Sequence, residues 1–143
     1  HSQKLIISNI ELILDYCTRY YDRQFYTRSN MNKDIVTRFE SLLKEYYNSG
    51  RAIDQGIPSV SYCGSELSMS PNYLSDLLKK ETGRNAQEHI HFYVIDKAKT
   101  QLLNSEESIS QIAYGLGFEY PQHFSKIFKA KTGLSPAEYR NMN

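Results

Sequence analysis

The first pattern along the chain is a run of apolar residues that are spaced alternately four and three residues apart. Its members are Ile6, Ile10, Ile13, Cys17 and Tyr20. This spacing is the heptad seam of a helix that packs along one side. Two heptads are typical both of ordinary core packing and of a dimer interface, so both interpretations stay open. Residues 1–33 are therefore predicted as a helical linker or dimerisation segment, with these five residues as the dimerisation candidates.

A second helical pattern follows a polar stretch at residues 27–33. Apolar residues recur with a period of 3.6 from Ile35 to Tyr47, which predicts an amphipathic helix. Gly50 is suited to the left-handed conformation that ends a helix. Residues 51–58 are predicted to be a linker.

From residue 59 onward, each helical pattern has a start signal and most have a stop signal. Ser or Asn precedes the predicted helices in positions that suit N-caps, and Gly follows two of the helices. The predicted N-caps are Ser70, Asn85, Ser108 and Ser135, and the predicted stops are Gly83 and Gly133. Strand-like alternation is missing from the sequence, so the fold class is predicted to be all-α.

Two segments of this region resemble each other at an offset of about 50 residues. Residues 79–83 read KKETG and residues 129–133 read KAKTG. Each copy is predicted as a short helix, a tight turn and a second helix, with one extra residue near 119–122 in the second copy. The apolar matches are Leu74, Leu77 and Leu78 with Phe124, Ile127 and Phe128.

The repeat predicts two helix-turn-helix units, at about 59–83 and 108–133, that are joined by a linker helix at about 86–103. One or two extra helices are expected before them. Eighteen residues at roughly 1.5 Å each give a linker of about 27 Å. This length approaches the ~34 Å of one DNA turn, so the second helices of the two units are suited to successive major grooves.

The second copy carries the most specific motif. Residues 109–118 read ISQIAYGLGF, residues 124–129 read FSKIFK, and residues 132–140 read TGLSPAEYR. On these residues, positions 59–140 resemble the DNA-binding domain of AraC/XylS-type transcription regulators. Two positions depart from the family pattern: Gly64 stands where alanine is usual, and Asp76 stands where basic or polar residues are common.

The resemblance implies an AraC-type DNA-binding domain over residues 34–143. It implies a sequence-specific regulator of bacterial transcription, an activator, that inserts two recognition helices into double-stranded DNA and contacts RNA polymerase. A cytoplasmic location is expected. Because the chain begins with His1 and Ser2 rather than Met, it is expected to be a fragment of a longer protein.

Polar residues on the second helix of each unit are the candidates for DNA contact. Asn and Gln suit adenine, Lys suits guanine, and Asp accepts from the amino group of cytosine. The predicted base contacts are Asn72, Ser75, Asp76, Gln122, Ser125 and Lys126. The predicted backbone contacts are Ser70, Lys79, Lys80, Tyr120, His123, Lys129 and Lys131. The alternative for each residue is an ordinary solvated helix surface.

Charge gives the DNA-binding interpretation little support. The formal net charge is +1, whereas nucleic-acid binders are usually basic overall. Any basic footprint must therefore be local, on the lysines of the second helices. A helical protein–protein interaction or dimerisation module with little DNA affinity stays open as the alternative.

Other kinds of site are not expected. The apolar runs are far shorter than the roughly 20 residues that span a bilayer. The carboxylates are scattered, so an enzyme is not predicted, and no cofactor is implied. His89 and His91 are two residues apart and point to different sides of a helix, so no metal site is predicted and both are expected at the surface. Cys17 and Cys63 are expected to be small buried or half-buried hydrophobic residues.

Overall fold

The computed structural model describes the backbone of residues 2–142 and the side chains of residues 8–142, except those at positions 22, 25 and 26. Within this range the chain forms helices only, so the predicted all-α class is confirmed. The helices are α1 (Ser2–Asn48), α2 (Arg51–Gln55), α3 (Val60–Glu66), α4 (Pro71–Thr82), α5 (Ala86–Asn104), α6 (Ile109–Gly115), α7 (Pro121–Thr132) and α8 (Pro136–Asn141). The residues divide into an N-terminal unit, His1–Ile35, and a C-terminal unit, Val36–Asn143.

The two helical patterns on either side of residues 27–33 belong to one helix, not to two. Helix α1 runs without interruption through residues 27–33. This stretch is polar, but it contains neither Gly nor Pro, and polarity alone does not end a helix. The Thr27 hydroxyl donates a hydrogen bond to the carbonyl of Arg23 (3.0 Å), so this polar side chain is satisfied by the helix itself.

The prediction of a linker at residues 51–58 is also wrong in part. Gly50 takes a left-handed conformation after α1, as predicted, but α2 begins at the next residue. Ala52 of this short helix is buried, and α2 packs against α6. Burial of one small residue is enough to order a segment whose apolar pattern is too short to be recognised in the sequence.

The predicted N-caps are confirmed. The Ser70 hydroxyl accepts a hydrogen bond from the backbone N–H of Tyr73 at 3.1 Å, and the Asn85 side chain accepts one from Glu88 at 2.9 Å. Ser108 and Gln111 form a reciprocal capping box at the start of α6. Ser135 caps α8, and Gly83 and Gly133 follow α4 and α7 as predicted.

The two helix-turn-helix units, α3–α4 and α6–α7, pack on the central helix α5. Helix α5 contacts α4, α6, α7 and α8. The core of the second unit is continuous with the buried face of α5. Its buried members are Val94, Ile95, Ala98, Leu102, Ile112, Ala113, Leu116, Phe118, Phe124 and Phe128.

The turns of the two units use the same backbone hydrogen bond. Met69 donates to the carbonyl of Gly64 at 2.9 Å, and Phe118 donates to the carbonyl of Ala113 at 3.0 Å. Ser68 and Gly117 occupy the turns with positive φ, at 60° and 99°. A Cβ on Gly64 would lie 2.7 Å from the Met69 carbonyl oxygen, so the first turn is closer to its helix than a side chain permits.

The turn of the second unit is supported by the segment between α2 and α3. A Cβ on Gly117 would lie 2.7 Å from both the carbonyl carbon of Gly56 and the nitrogen of Ile57. The Tyr46 hydroxyl donates to the carbonyl of Gly56 at 2.7 Å. The Tyr47 hydroxyl donates to the carbonyl of Leu116, next to the turn, at 3.0 Å. The end of α1 therefore holds the chain segment that enters the first unit against the turn of the second.

The start and the end of α5 are fixed by hydrogen bonds from neighbouring helices. The Ser75 hydroxyl accepts from the backbone N–H of Ala86 at 3.3 Å, which ties α4 to the start of α5. The Arg140 side chain donates to the carbonyl of Leu102 at 3.0 Å, which ties α8 to its end.

We expect Gly117→Ala to lower the free energy of unfolding by about 2–4 kcal/mol, because the new Cβ combines a strained positive φ with a backbone clash. Gly115→Ala is the matched control, since Gly115 is helical and nothing lies near its missing Cβ. Its stability should stay within about 1 kcal/mol of the parent. Urea unfolding measures both variants, and equal losses would contradict the close backbone contact.

We expect Ser75→Ala to lower the free energy of unfolding by about 0.5–1.5 kcal/mol, because the Ala86 N–H loses its acceptor. Ser125→Ala is the control. Ser125 is the counterpart of Ser75 at the offset of 50 residues, and the counterpart of Ala86 is Pro136. Because proline has no backbone N–H to donate, Ser125 has no equivalent hydrogen bond to lose. Thermal unfolding compares the two, and a Ser125→Ala loss equal to that of Ser75→Ala would show that the Ala86 bond contributes nothing.

Candidate nucleic-acid interface

Helix α4 presents a polar stripe on the side opposite its buried face. Leu74 and Leu78 are fully buried, while Asn72, Asp76 and Lys79 are exposed. Residues four and seven apart lie on one face of a helix, so these three side chains form a single row along α4. Lys80 is exposed beside this row.

Helix α7 presents the equivalent stripe. Phe124 and Phe128 are fully buried, while Gln122, Lys126 and Lys129 are exposed. Each exposed residue lies 50 positions after its counterpart in α4. The repeat seen in the sequence therefore produces two helices of 12 residues, each with one buried face and one polar face.

Two predicted base-contact residues lie at the edge of these faces. Ser75 and Ser125 are half-buried, and the Ser75 hydroxyl is hydrogen-bonded to the start of α5. The other four, Asn72, Asp76, Gln122 and Lys126, lie on the exposed stripes.

The starts of the two helices differ. Ser70 caps α4 with its hydroxyl, whereas the Tyr120 side chain forms no cap at α7. Tyr120 and His123 are exposed, as backbone contacts must be. The rings of His123 and Phe118 pack edge to face, with 5.7 Å between their centroids. Sequence reasoning missed Tyr73, which is 58 % exposed at the start of α4. The offset of 50 would have identified it as the counterpart of His123.

The electrostatics of the two helices also differ. In α4, Lys79 and Lys80 are balanced by Asp76 and Glu81, which gives a formal charge of 2 − 2 = 0. In α7, Lys126, Lys129 and Lys131 have no acidic residue beside them, which gives +3.

The positive charge of α7 acts on α5 as well. Burial is the largest cause that lowers the pKa of His91, and the charges of Lys131 and His123 lower it further. His91 on α5 is therefore within range of the positive charge of α7.

The candidate dimerisation residues lie in the N-terminal unit, His1–Ile35. Ile10, Ile13, Cys17 and Tyr20 are exposed, and the side chain of Ile6 lies outside the described residues. The expectation that Cys17 is buried or half-buried is wrong, because its side chain is exposed. Cys63 is buried as expected, and burial raises the pKa of its thiol to about 11.

The two histidines of α5 have separate partners. His89 Nε2 lies 2.7 Å from the Thr82 hydroxyl, and His91 Nε2 lies 2.8 Å from the side-chain amide of Gln87. Both histidines are half-buried, so each lies at the surface with part of its side chain covered. Over the described residues, no group of three or more metal-ligating side chains occurs. No helix in that same range is long and apolar enough to cross a membrane.

Comparison with known proteins identifies the domain. A family model described as a helix-turn-helix domain matches residues 63–142. YesN of Bacillus subtilis, a transcriptional regulatory protein, is 38 % identical over 76 residues, which are 52 % of this chain and 21 % of YesN. The transcriptional activator RhaS of Escherichia coli is 35 % identical over 75 residues, which are 52 % of this chain and 27 % of RhaS. The matches thus span only about a fifth to a quarter of these relatives.

A solved structure shares the fold. The C-terminal domain of AraT, a response regulator from Geobacillus stearothermophilus, matches with a TM-score of 0.67 and 28 % identity, over 76 % of this chain and 85 % of that one. The named relatives are regulators of transcription rather than enzymes. With its paired units, its central helix and a family model that matches more than half of its length, the chain belongs to the AraC-type helix-turn-helix family.

Proposed function

We propose that this chain is a sequence-specific regulator that binds double-stranded DNA with α4 and α7 in successive major grooves. One observation carries the proposal: two equivalent helices expose equivalent polar stripes and are joined by the well-packed helix α5. Helix α5 has 19 residues, which corresponds to about 28 Å. With the width of the flanking helices, this length is suited to two grooves one DNA turn apart.

The unequal charges support different tasks for the two helices. Helix α7, with three lysines, supplies most of the attraction to phosphates. Because this attraction is weakened by salt, the affinity falls steeply as the salt concentration rises. Helix α4 has no net charge, so its contribution is mainly to base selection. Asp76 in the middle of its stripe accepts a hydrogen bond from the amino group of cytosine, and Asn72 is suited to adenine.

The flanking residues position the protein on the duplex. We assign phosphate contacts to the exposed residues around the two stripes, because such contacts fix orientation without carrying sequence information. In the first unit these are Ser70, Lys79 and Lys80. In the second unit they are Tyr120, His123, Lys129 and Lys131.

We extend the role of activator from RhaS to this chain, with contact to RNA polymerase and a bacterial cytoplasmic location. Support for this extension is the shared helix-turn-helix region, which is where the two sequences match. The match covers 27 % of RhaS.

The second candidate function is a helical protein–protein module with little DNA affinity. The charge of the C-terminal unit favours this candidate. Residues 36–143 contain 12 Lys and Arg and 12 Asp and Glu, a formal balance of 12 − 12 = 0. This unit has no general attraction to a polyanion, so its DNA binding depends on the local charge of α7.

Selection from a random DNA pool tests the proposal. We expect this chain to enrich an asymmetric site with two conserved blocks about one helical turn apart, bound more weakly as salt rises. One enriched block would show that a single unit reads DNA. Failure to enrich any sequence, with only salt-sensitive weak binding, would favour the protein-interaction module.

Side-chain truncations on α7 separate base contacts from phosphate contacts. We expect Gln122→Ala and Lys126→Ala each to weaken the selected site by about 1–3 kcal/mol and to relax its sequence preference. Lys129→Ala should weaken all sequences alike and reduce the salt slope by about 1. Titration by fluorescence anisotropy measures each variant.

Lys44→Ala is the matched control, because Lys44 is an exposed lysine on α1 rather than on α4 or α7. It should leave both affinity and preference unchanged. Unchanged affinity and preference in Lys126→Ala would show that α7 does not read DNA through this stripe.

A further inference from the structure

Two adjacent tyrosines at the end of α1 donate their hydroxyl groups to different parts of the domain. The Tyr46 hydroxyl bonds to the carbonyl of Gly56, on the segment that leads into the first helix-turn-helix unit, at 2.7 Å. The Tyr47 hydroxyl bonds to the carbonyl of Leu116, in the turn between α6 and α7, at 3.0 Å. One short stretch of α1 is therefore bonded to the chain on both sides of the close contact between Gly56 and Gly117.

The aromatic ring of Tyr47 is held by its own neighbours, separately from the hydroxyl. Its centroid lies 5.7 Å from that of the Tyr46 ring and 5.5 Å from that of the Tyr93 ring of α5. The Lys97 ammonium nitrogen lies 5.7 Å from the same centroid, a distance at which a cation is attracted to an aromatic face. These contacts fix the ring, so they also fix the point from which the hydroxyl reaches Leu116. A phenylalanine at position 47 keeps all of them and loses only the hydrogen bond.

The Tyr47 hydroxyl is a constant donor. Burial is the largest cause that raises the pKa of Tyr47 well above its usual range, and the neighbouring Tyr46 and Tyr93 raise it further. The hydroxyl therefore keeps its proton at neutral pH. Leu116 is 1 % exposed, so water has poor access to replace this donor if it is removed.

We propose that Tyr47 is a positioning residue, which sets the direction of α7 relative to α4 and thereby the spacing between the two blocks of the DNA site. Four residues, 117–120, separate Leu116 from Pro121, the first residue of α7. A carbonyl held this close to the start of α7 limits how far that helix can rotate about its turn. The inference rests on the proposed function, because the direction of α7 matters for DNA only if both helices read one site.

A bond that only stabilises the fold predicts a different result. Its removal unfolds a larger fraction of the molecules but leaves the folded ones unchanged, so binding to every duplex weakens by the same factor. Removal of a positioning bond lets α7 take several directions. The selected spacing then loses affinity relative to neighbouring spacings. The ratio of affinities between spacings therefore distinguishes the two roles.

Titration of Tyr47→Phe by fluorescence anisotropy tests the proposal on duplexes that carry the two selected blocks. One duplex has the selected spacing, and two others have one base pair inserted or removed, which shifts a block by about 3.4 Å. We expect the parent to prefer the selected spacing and Tyr47→Phe to reduce that preference at least about three-fold. Tyr16→Phe is the matched control, because Tyr16 is a 75 % exposed tyrosine on the same helix. It should keep the preference of the parent.

Hydrogen exchange of the free protein measures the positioning of the turn without DNA. The Phe118 N–H donates to the carbonyl of Ala113 in the second turn, and the Met69 N–H makes the equivalent bond to Gly64 in the first. We expect Tyr47→Phe to accelerate exchange at Phe118 about three- to ten-fold more than at Met69, because only the second turn loses a bond to α1.

Two outcomes would overturn the proposal. One is equal acceleration of exchange at Phe118 and Met69, because the bond would then act on the fold as a whole. The other is a Tyr47→Phe variant that keeps the spacing preference of the parent. A parent without any spacing preference would contradict the proposed function instead, and the exchange measurement then still decides whether Tyr47 positions the turn.

Discussion

The spacing between the two polar stripes depends on one helix. Helix α5 has buried residues along its whole length, from Ala86 at its start to Leu102 near its end. Its start is hydrogen-bonded to α4 through Ser75, and its end is hydrogen-bonded to α8 through Arg140. Because α4 is bonded to the start of α5, and Phe124 and Phe128 of α7 share a core with α5, the two helices cannot change their separation without exposing core residues to water.

A second constraint joins the two units away from α5. The backbone at Gly117 lies against Gly56 and Ile57, and Tyr46 and Tyr47 bond to the carbonyls on either side of this contact. A backbone contact this close does not adjust gradually, because any side chain at Gly117 would separate the two segments. The turn that precedes α7 therefore follows the position of the end of α1.

Much of this architecture was predictable because the sequence marks it locally. Ser70, Asn85 and Ser108 signal helix starts through short-range hydrogen bonds, and each forms the expected cap. The repeat at an offset of 50 identified the equivalent buried residues and most of the exposed ones. Such signals depend on neighbouring residues, so they are readable without knowledge of the tertiary structure.

Some features could not be predicted from the sequence, because they depend on contacts between residues far apart in the chain or on no such contact at all. Helix α2 is ordered by the burial of Ala52 against α6, some 60 residues away in sequence. The half-burial of Ser75 follows from its bond to Ala86 across a helix junction. The uninterrupted α1 was missed for the opposite reason, because a polar helix of this kind carries no apolar period at residues 27–33 from which to recognise it.

The central claim is that two helices held at a fixed distance read one DNA site together. Binding to a series of duplexes, in which the spacing between the two selected blocks is changed, tests it most directly. A rigid α5 predicts that inserting about 5 base pairs, half a helical turn, moves one block to the opposite face of the duplex and removes its contribution to binding. Equal affinity at every spacing would contradict the claim, because it would mean that only one helix reads DNA or that the two units move independently.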